Sequence, residues 1–277
     1  GSAEMSDTFP YDDGPMDDMS SDPMTTGDND YSYMNYNSYD FSNRGLESAN
    51  FEYATLDNAN FHGAKLQGAD FSDASLVSAD LSYLDFGTDQ NGEDIPGSVD
   101  FSFAQMMSAD LSGSNFSDGT SFYSADLTDA KFVDATVRSS MASVDANSAD
   151  FTSADLTGVD FSSANLGNAN FYSANLHGAD FHNASLTSAD LSYLDFGTDA
   201  DGEDILGSID FSFAQMMSAD LSGSNFSDGT NFDSADLAGA KFVEATVRSS
   251  MVSLNANSAD FSSADLTGVD FSSANLD

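Results

Sequence analysis

The stretch SADFSSADLTGVDFSSANL, residues 258–276, places an apolar residue at every fifth position: Phe261, Leu266, Phe271 and Leu276. The same spacing begins at Phe41 and runs through Leu46, Phe51, Leu56, Phe61 and Leu66. Two positions before most of these centres stands a small residue, as at Ala49, Ala54, Ala59 and Ala64. The residue just before the centre is often Asp or Asn, as at Asn50, Asn60, Asp70 and Asp80. A period of five fits neither the 3.6-residue helix nor the two-residue strand. It requires a chain that turns a corner every five residues.

The motif A-(D/N)-(L/F)-x-x recurs in ADFSDASLVSADL (69–81) and ADLTGVDFSSANL (154–166) as well as in 258–276. It resembles the pentapeptide-repeat family, and the resemblance covers about residues 41–277. It implies an all-β fold, a right-handed quadrilateral β-helix of roughly 11–12 coils with four pentapeptides to a coil. The centre and the small residue would point inward, and the other three positions outward. Each inward Leu or Phe would then contribute about 1.5–3 kcal/mol by burial, offsetting the entropy of ordering its coil. With Phe and Leu alternating from Phe41 to Leu76, two opposite walls would stack Phe and the other two Leu.

A second, longer repeat overlies the first. Leu76–Gly167 aligns with Leu186–Asp277 at an offset of 110, and weaker similarity extends it to about 51–167 and 161–277. Only 15 positions differ across the closely matched window, which reads as a recent duplication. The five-residue rule lapses once in each copy. Between Phe86 and Phe101 it would force Asp89 and Asp94 inward, and in the second copy Asp199 and Asp204. Burying those carboxylates is too costly, so segments 88–98 and 198–208 are expected to be loops. Ten residues removed from 110 leave five whole coils, which would put both loops on the same face. One extra residue lies between Phe116 and Phe122, and again between Phe226 and Phe232. Irregular coils follow at 137–151 and 247–261, where Met141 and Met251 are expected to fill the interior.

Residues 1–40 lack the pentad and are rich in Asp, Ser, Tyr and Met. They read as a disordered acidic tail, or as a strap whose Tyr31, Tyr33, Met34, Tyr36 and Tyr39 cover the first coil. Gly1-Ser2 reads as a cloning remnant, and a chain that starts near Ala3 fits an exported mature form. At the other end the repeat runs to Leu276. Solenoid ends need polar caps or a partner, so Leu276 and the Tyr/Met cluster are the candidate assembly residues for end-to-end stacking.

The chain carries 47 Asp and Glu against 6 Lys and Arg, a formal charge of -41. Such a surface repels nucleic acid and attracts cations and basic proteins. It contains no Cys, which excludes disulfides and thiolate metal sites. No apolar run approaches the roughly 18 residues of a membrane span. The three histidines, His62, His177 and His182, fall on outward positions and read as solvated. No nucleophile elbow, P-loop, zincin or dinucleotide fingerprint occurs, and the chain is read as non-enzymatic. The two loops supply candidate calcium ligands, Asp89, Asn91, Glu93 and Asp94 in one, and Asp199, Asp201, Glu203 and Asp204 in the other. They gather hard oxygen donors around a Gly turn without matching an EF-hand. On the regular faces, Asp160 and Asp180 are expected to stack, as are Asp190 and Asp210, with Asn165, Asn170 and Asn175 interleaved.

Three functions follow as expectations. The first is an acidic structural or scaffold rod, self-associating end to end, extracellular or at the cell surface. The second comes from the resemblance, since some family members mimic a DNA duplex and bind type II topoisomerases; this would make the chain cytoplasmic. The third is a calcium- or mineral-binding surface protein.

Overall fold

A computed structural model describes residues 29–86, 99–116, 119–196, 209–226 and 229–277. The described chain is all-β and contains no helix. It winds as a four-sided solenoid in which single parallel bridges join successive coils: Asp30 to Asn50, Asn35 to Thr55, Asp40 to Asn60, Gly45 to Lys65. These four ladders define four walls, numbered here in that order. Five bridges extend to two-residue strands: β1 (Asn115–Phe116), β2 (Thr136–Val137), β3 (Asp195–Phe196), β4 (Asn225–Phe226) and β5 (Thr246–Val247). β1 pairs with β2, and β3, β4 and β5 form a three-stranded parallel sheet. The second ladder runs unbroken from Asn35 to Asn275 and has twelve rungs.

The ladder starts earlier than the repeat predicts. Tyr31 and Tyr36 occupy inward centres and are 2% and 4% exposed. The solenoid therefore already includes Asp30 and does not wait for 41, because Tyr takes the place of Phe or Leu at these two centres. Tyr31 lies parallel to Phe51 at 4.8 Å, so it stacks in the same wall as the regular Phe residues.

Register follows the long repeat. Along the third ladder the rungs Asp80, Asp110, Lys131, Asp150, Asn170 and Asp190 are successively 30, 21, 19, 20 and 20 residues apart. The long first step contains the ten added residues. The extra residue of the next coil is compensated by a coil one residue short, so each 110-residue module is five coils. The chain leaves regular register after Phe86 and after Phe196 and rejoins it at Val99 and Ile209, at the same corner of the rod five rungs apart. The segments 88–98 and 198–208 themselves fall outside the described residues.

Inside, the centres stack as the period demands. Phe41 lies over Phe61 at 4.8 Å and Phe51 over Phe71 at 4.7 Å, with interplanar angles of 3° and 6°. Phe41 and Phe51, on opposite walls, meet edge-on at 5.5 Å across the interior. Phe thus fills the first and third walls, as expected, until Leu81 and Leu111 replace it in the third and Phe86 and Phe116 enter the fourth. Where Phe86 enters, Leu84 occupies the usual Ala slot, and the buried Ser114 of the next coil bridges it. Ser114 Oγ accepts from Leu84 N at 2.9 Å and donates to Leu81 O at 2.8 Å. Ser224 repeats this between Leu194 and Leu191. Met141 and Met251 are fully buried in the irregular coils.

Each corner is a tight turn closed by the small residue, as in Ala54 N to Phe51 O at 2.9 Å. The second residue after the centre has φ near +57° in turn after turn, at Tyr53, Asp73 and Ser153 among others. This is the type II signature, which Gly and Asn meet without strain and which costs other residues on the order of 1 kcal/mol or more. Gly113 shows why one position is glycine. A Cβ there would come within 2.7 Å of the Tyr83 ring, which lies across it.

Four hydroxyls sit in the wrong medium. Thr120 Oγ1, Ser139 Oγ, Thr230 Oγ1 and Ser249 Oγ are buried without a hydrogen-bond partner among the described residues. They occupy the Ala slot of the first wall in the coils of 21 and 19 residues. Thr120→Val with Ser139→Ala should therefore stabilise the fold by about 1–3 kcal/mol per site. Urea unfolding midpoints of the variant and the native chain measure this; an unchanged or lower midpoint would mean that the hydroxyls are satisfied in solution.

Candidate functional surface

The outward positions carry the chemistry, and the ladder residue is the one the fold uses twice. Its backbone pairs with the neighbouring coil, and its side chain closes the corner. Asp70 Oδ1 accepts from Ser72 N at 2.9 Å and from Ser72 Oγ at 2.6 Å. Asp80 does the same with Ser82, Asp150 with Thr152, and Asp190 with Ser192. A carboxylate bonding the N–H two residues on is an Asx turn. These turns fix one oxygen of each carboxylate.

Stacking makes the carboxylates into columns. Asp160, Asp180 and Asp210 follow one another in the first ladder, and Asp190 and Asp220 in the third. Asp190 therefore does not pair with Asp210, as the unbroken period suggests, because the added ten residues shift that rung. Like charges one rung apart, about 5 Å, repel. Neutral and cationic rungs relieve part of this: Asn165 donates to Asp145 at 2.9 Å, and Lys131 stands between Asp110 and Asp150. Lys241 reaches Asp220 at 3.2 Å.

Two arginines staple adjacent coils, one in each module. Arg138 donates to Asp155 Oδ2 at 2.5 Å and to the carbonyls of Val137 and Asp155 at 3.0 and 3.2 Å. Arg248 makes the same set with Asp265 and Val247. The Arg248 guanidinium, with help from the Thr267 hydroxyl, holds the Asp265 carboxyl far below the ordinary range. At Asp155, burial pushes the carboxyl up, but hydrogen bonds from Arg138 and Thr157 outweigh it and the net shift is downward. Hydrogen bonds from Ser32, Ser42, Ser262 and Ser272 likewise lower Asp30, Asp40, Asp260 and Asp270.

Most of the sequence-derived assembly residues lie at the first coil. Tyr31 and Tyr36 belong to its core, and Tyr39 is partly buried against Phe41 with the Arg44 guanidinium 5.3 Å from its ring. Tyr33 and Met34 are exposed, and Tyr33 stacks on Tyr53 at 5.0 Å. At the opposite end, Leu276 is 52% exposed, and Phe261, Leu266 and Phe271 of the same coil are half-buried. The candidate calcium ligands Asp89, Asn91, Glu93, Asp94, Asp199, Asp201, Glu203 and Asp204 lie outside the described residues. Among the described residues no three His, Asp or Glu side chains converge as a metal site. A shallow, open depression of about 410 Å³ is lined by Thr230, Asn231, Asp233 and Ser250. No helix of the described residues is long and apolar enough to cross a membrane.

The lowered carboxylates predict the acid limb of stability. Their folded pKa lies below the unfolded value of 3.8, so they stabilise the fold above that pH, and the contribution is lost as pH falls through the folded values. Thermal melting between pH 5 and pH 2 should show a falling midpoint, with a smaller fall in Arg138→Met/Arg248→Met. At pH 7 added salt should raise the midpoint by screening the columns. A midpoint that drops with salt would mean that the attractive pairs outweigh the repulsive ones.

The family comparison agrees with this architecture. The pentapeptide-repeat family model matches in eight copies, at residues 46–86, 120–168, 164–197, 210–250 and 253–277. Among solved structures, HetL, a pentapeptide repeat protein involved in heterocyst differentiation regulation in the cyanobacterium Nostoc sp. strain PCC 7120, is 22% identical. That match covers 87% of this chain and 89% of HetL, with a TM-score of 0.42. QnrB1, a plasmid-mediated fluoroquinolone resistance protein, is 17% identical over 88% of this chain and 91% of its own, with a TM-score of 0.28. A pentapeptide repeat protein of the Arabidopsis thaliana thylakoid lumen is 28% identical over 46% of this chain and 68% of its own, with a TM-score of 0.24. No curated protein matches the chain. With the family model covering more than half of the residues and the ladders in the register it requires, the chain belongs to the pentapeptide-repeat family.

Proposed function

We propose that this chain is a non-enzymatic structural rod that works through its acidic outer walls, as a scaffold outside the cell or at its surface. The observation that supports it is the twelve-rung ladder with a continuous apolar interior. That construction fills the interior with side chains and makes a stiff object about 60 Å long at the usual strand spacing. Negative-stain electron microscopy in moderate salt, with and without calcium, tests the reading. Thin rods about 60 Å long, single, paired or joined end to end, are expected, and compact particles would overturn the reading; a calcium-dependent difference would bring the acidic loops into the assembly.

A second reading rests on charge density. The described residues carry 30 of the 47 carboxylates and all 6 cations, a net charge of -24. Over about 60 Å that is one charge per roughly 2.5 Å, against about 1.7 Å in a DNA duplex. A rod of this density would compete for the basic groove of a type II topoisomerase. A gyrase supercoiling assay separates the two readings: a scaffold leaves the rate unchanged, and dose-dependent inhibition or protection would replace the scaffold reading by duplex mimicry.

A further inference from the structure

The four walls are not equivalent. The second wall runs from the last residue of one corner, through the ladder residue, to the first residue of the next corner. In the fourth rung these are Phe103, Gln105 and Met107, and in the ninth Phe213, Gln215 and Met217. Phe103 and Phe213 are each 52% exposed, and Met107 and Met217 are exposed as well. The two apolar patches are identical and five rungs apart, about 24 Å at the strand spacing. Along its twelve rungs this wall carries no cation and six carboxylates: Asp57, Asp73, Asp126, Asp145, Asp236 and Asp277.

We infer that the second wall is a lateral interface for a second copy of this chain, packed antiparallel. A two-fold axis midway between the fourth and ninth rungs lays Phe103 and Met107 of one rod against the Phe213–Met217 patch of the other, twice. Fewer like charges face one another this way than in a parallel pair, since only the third and tenth rungs, with Asp73 and Asp236, bring carboxylates to facing rungs. The same axis sets Asp126, on the fifth rung, opposite the eighth rung, whose outward residues are Asn183, Ser185 and Thr187. It sets Asp145, on the sixth rung, opposite Asn165 on the seventh. Asn165 gives one amide proton to its own Asp145 and has a second to give across the interface. A parallel, in-register pair would instead oppose Asp126 to Asp126 and Asp145 to Asp145, which is unfavourable. Because an isologous contact closes on itself, it yields a dimer and not an open array. The inference stands whether the rod serves as a scaffold or as a duplex mimic.

Sedimentation equilibrium of the full chain in 0.3 M salt tests it. A species of twice the 29.1 kDa chain mass is expected, with association strengthening as salt rises. Phe103→Ser/Phe213→Ser should weaken the dimer at least tenfold. The fold should survive, because both positions have φ near +58° and other coils place Ser there; circular dichroism melts verify this. The absence of native cysteine allows a test of orientation. Gln105→Cys mixed with Gln215→Cys should cross-link on mild oxidation, and Gln105→Cys alone should not. A monomer at every concentration overturns the inference. So does a dimer that the double substitution leaves unweakened, as an end contact would, or ready cross-linking of Gln105→Cys with itself.

Discussion

Everything in this rod depends on one coincidence of lengths: the spacing of hydrogen-bonded strands is also a good spacing for stacked aromatic rings. Phe41 over Phe61 and Phe51 over Phe71 stand 4.7–4.8 Å apart, close to the strand separation of a sheet. One inward residue per wall per coil can therefore be in contact with its equivalents above and below. The backbone bridge and the side-chain stack reinforce each other at every rung. The small residue beside each centre follows from the same geometry, since the interior has room for four large side chains per coil and little else. Where that rule is relaxed, at Leu84 and Leu194, the chain needs a buried serine of the next coil to remake the turn.

The outer layer answers a different constraint. A corner every five residues places a residue with positive φ at most of the described corners, and few residues accept that conformation cheaply. Ser, Asn, Asp and Gly recur there, and where the ladder residue is Asp or Asn its side-chain oxygen commonly holds the corner shut. The acidic surface and the mechanics of the turn thus share the same atoms. Removing charge from a ladder position without removing its acceptor is a change the fold can absorb, whereas removing the acceptor opens a corner.

The inward architecture could be read from the sequence because a period of five at Phe, Leu and Ala admits so few solutions. The five-coil module was legible too, because 110 less ten is a multiple of twenty. Other features were not. Tyr31 and Tyr36 escaped because they break the Leu/Phe rule, and Asn29 and Met34 stand in their Ala slots; their five-residue spacing from Phe41 was the available signal. The pairing of Asp190 with Asp220 depends on counting the added residues into the register. The strain at the corners was hidden because the recurrence of Gly63, Gly68 and Gly158 two places after a centre is diluted by Ser. The lateral patch is invisible in one dimension: Phe103 and Met107 look like two more irregularities until the fold puts them at the edges of one wall.

The most informative comparison within the chain is between Asp and Asn at the ladder position. Asn60 closes its corner on His62 N at 2.9 Å, and Asn50 closes its own on Glu52 N at 2.9 Å. Asp70 closes its corner at the same 2.9 Å. As a cap for the turn, the neutral side chain is equivalent. As a neighbour in the column it is better, because it adds no repulsion and can donate across the rung, as Asn165 does to Asp145. A sequence optimised for the stability of this solenoid alone would therefore use Asn far more widely. The preponderance of Asp, with three in succession at Asp160, Asp180 and Asp210, runs against that interest. The charge is a property of what the rod meets and not of how the rod stands. All four walls carry that charge, and the second is set apart by its exposed Phe103, Met107, Phe213 and Met217.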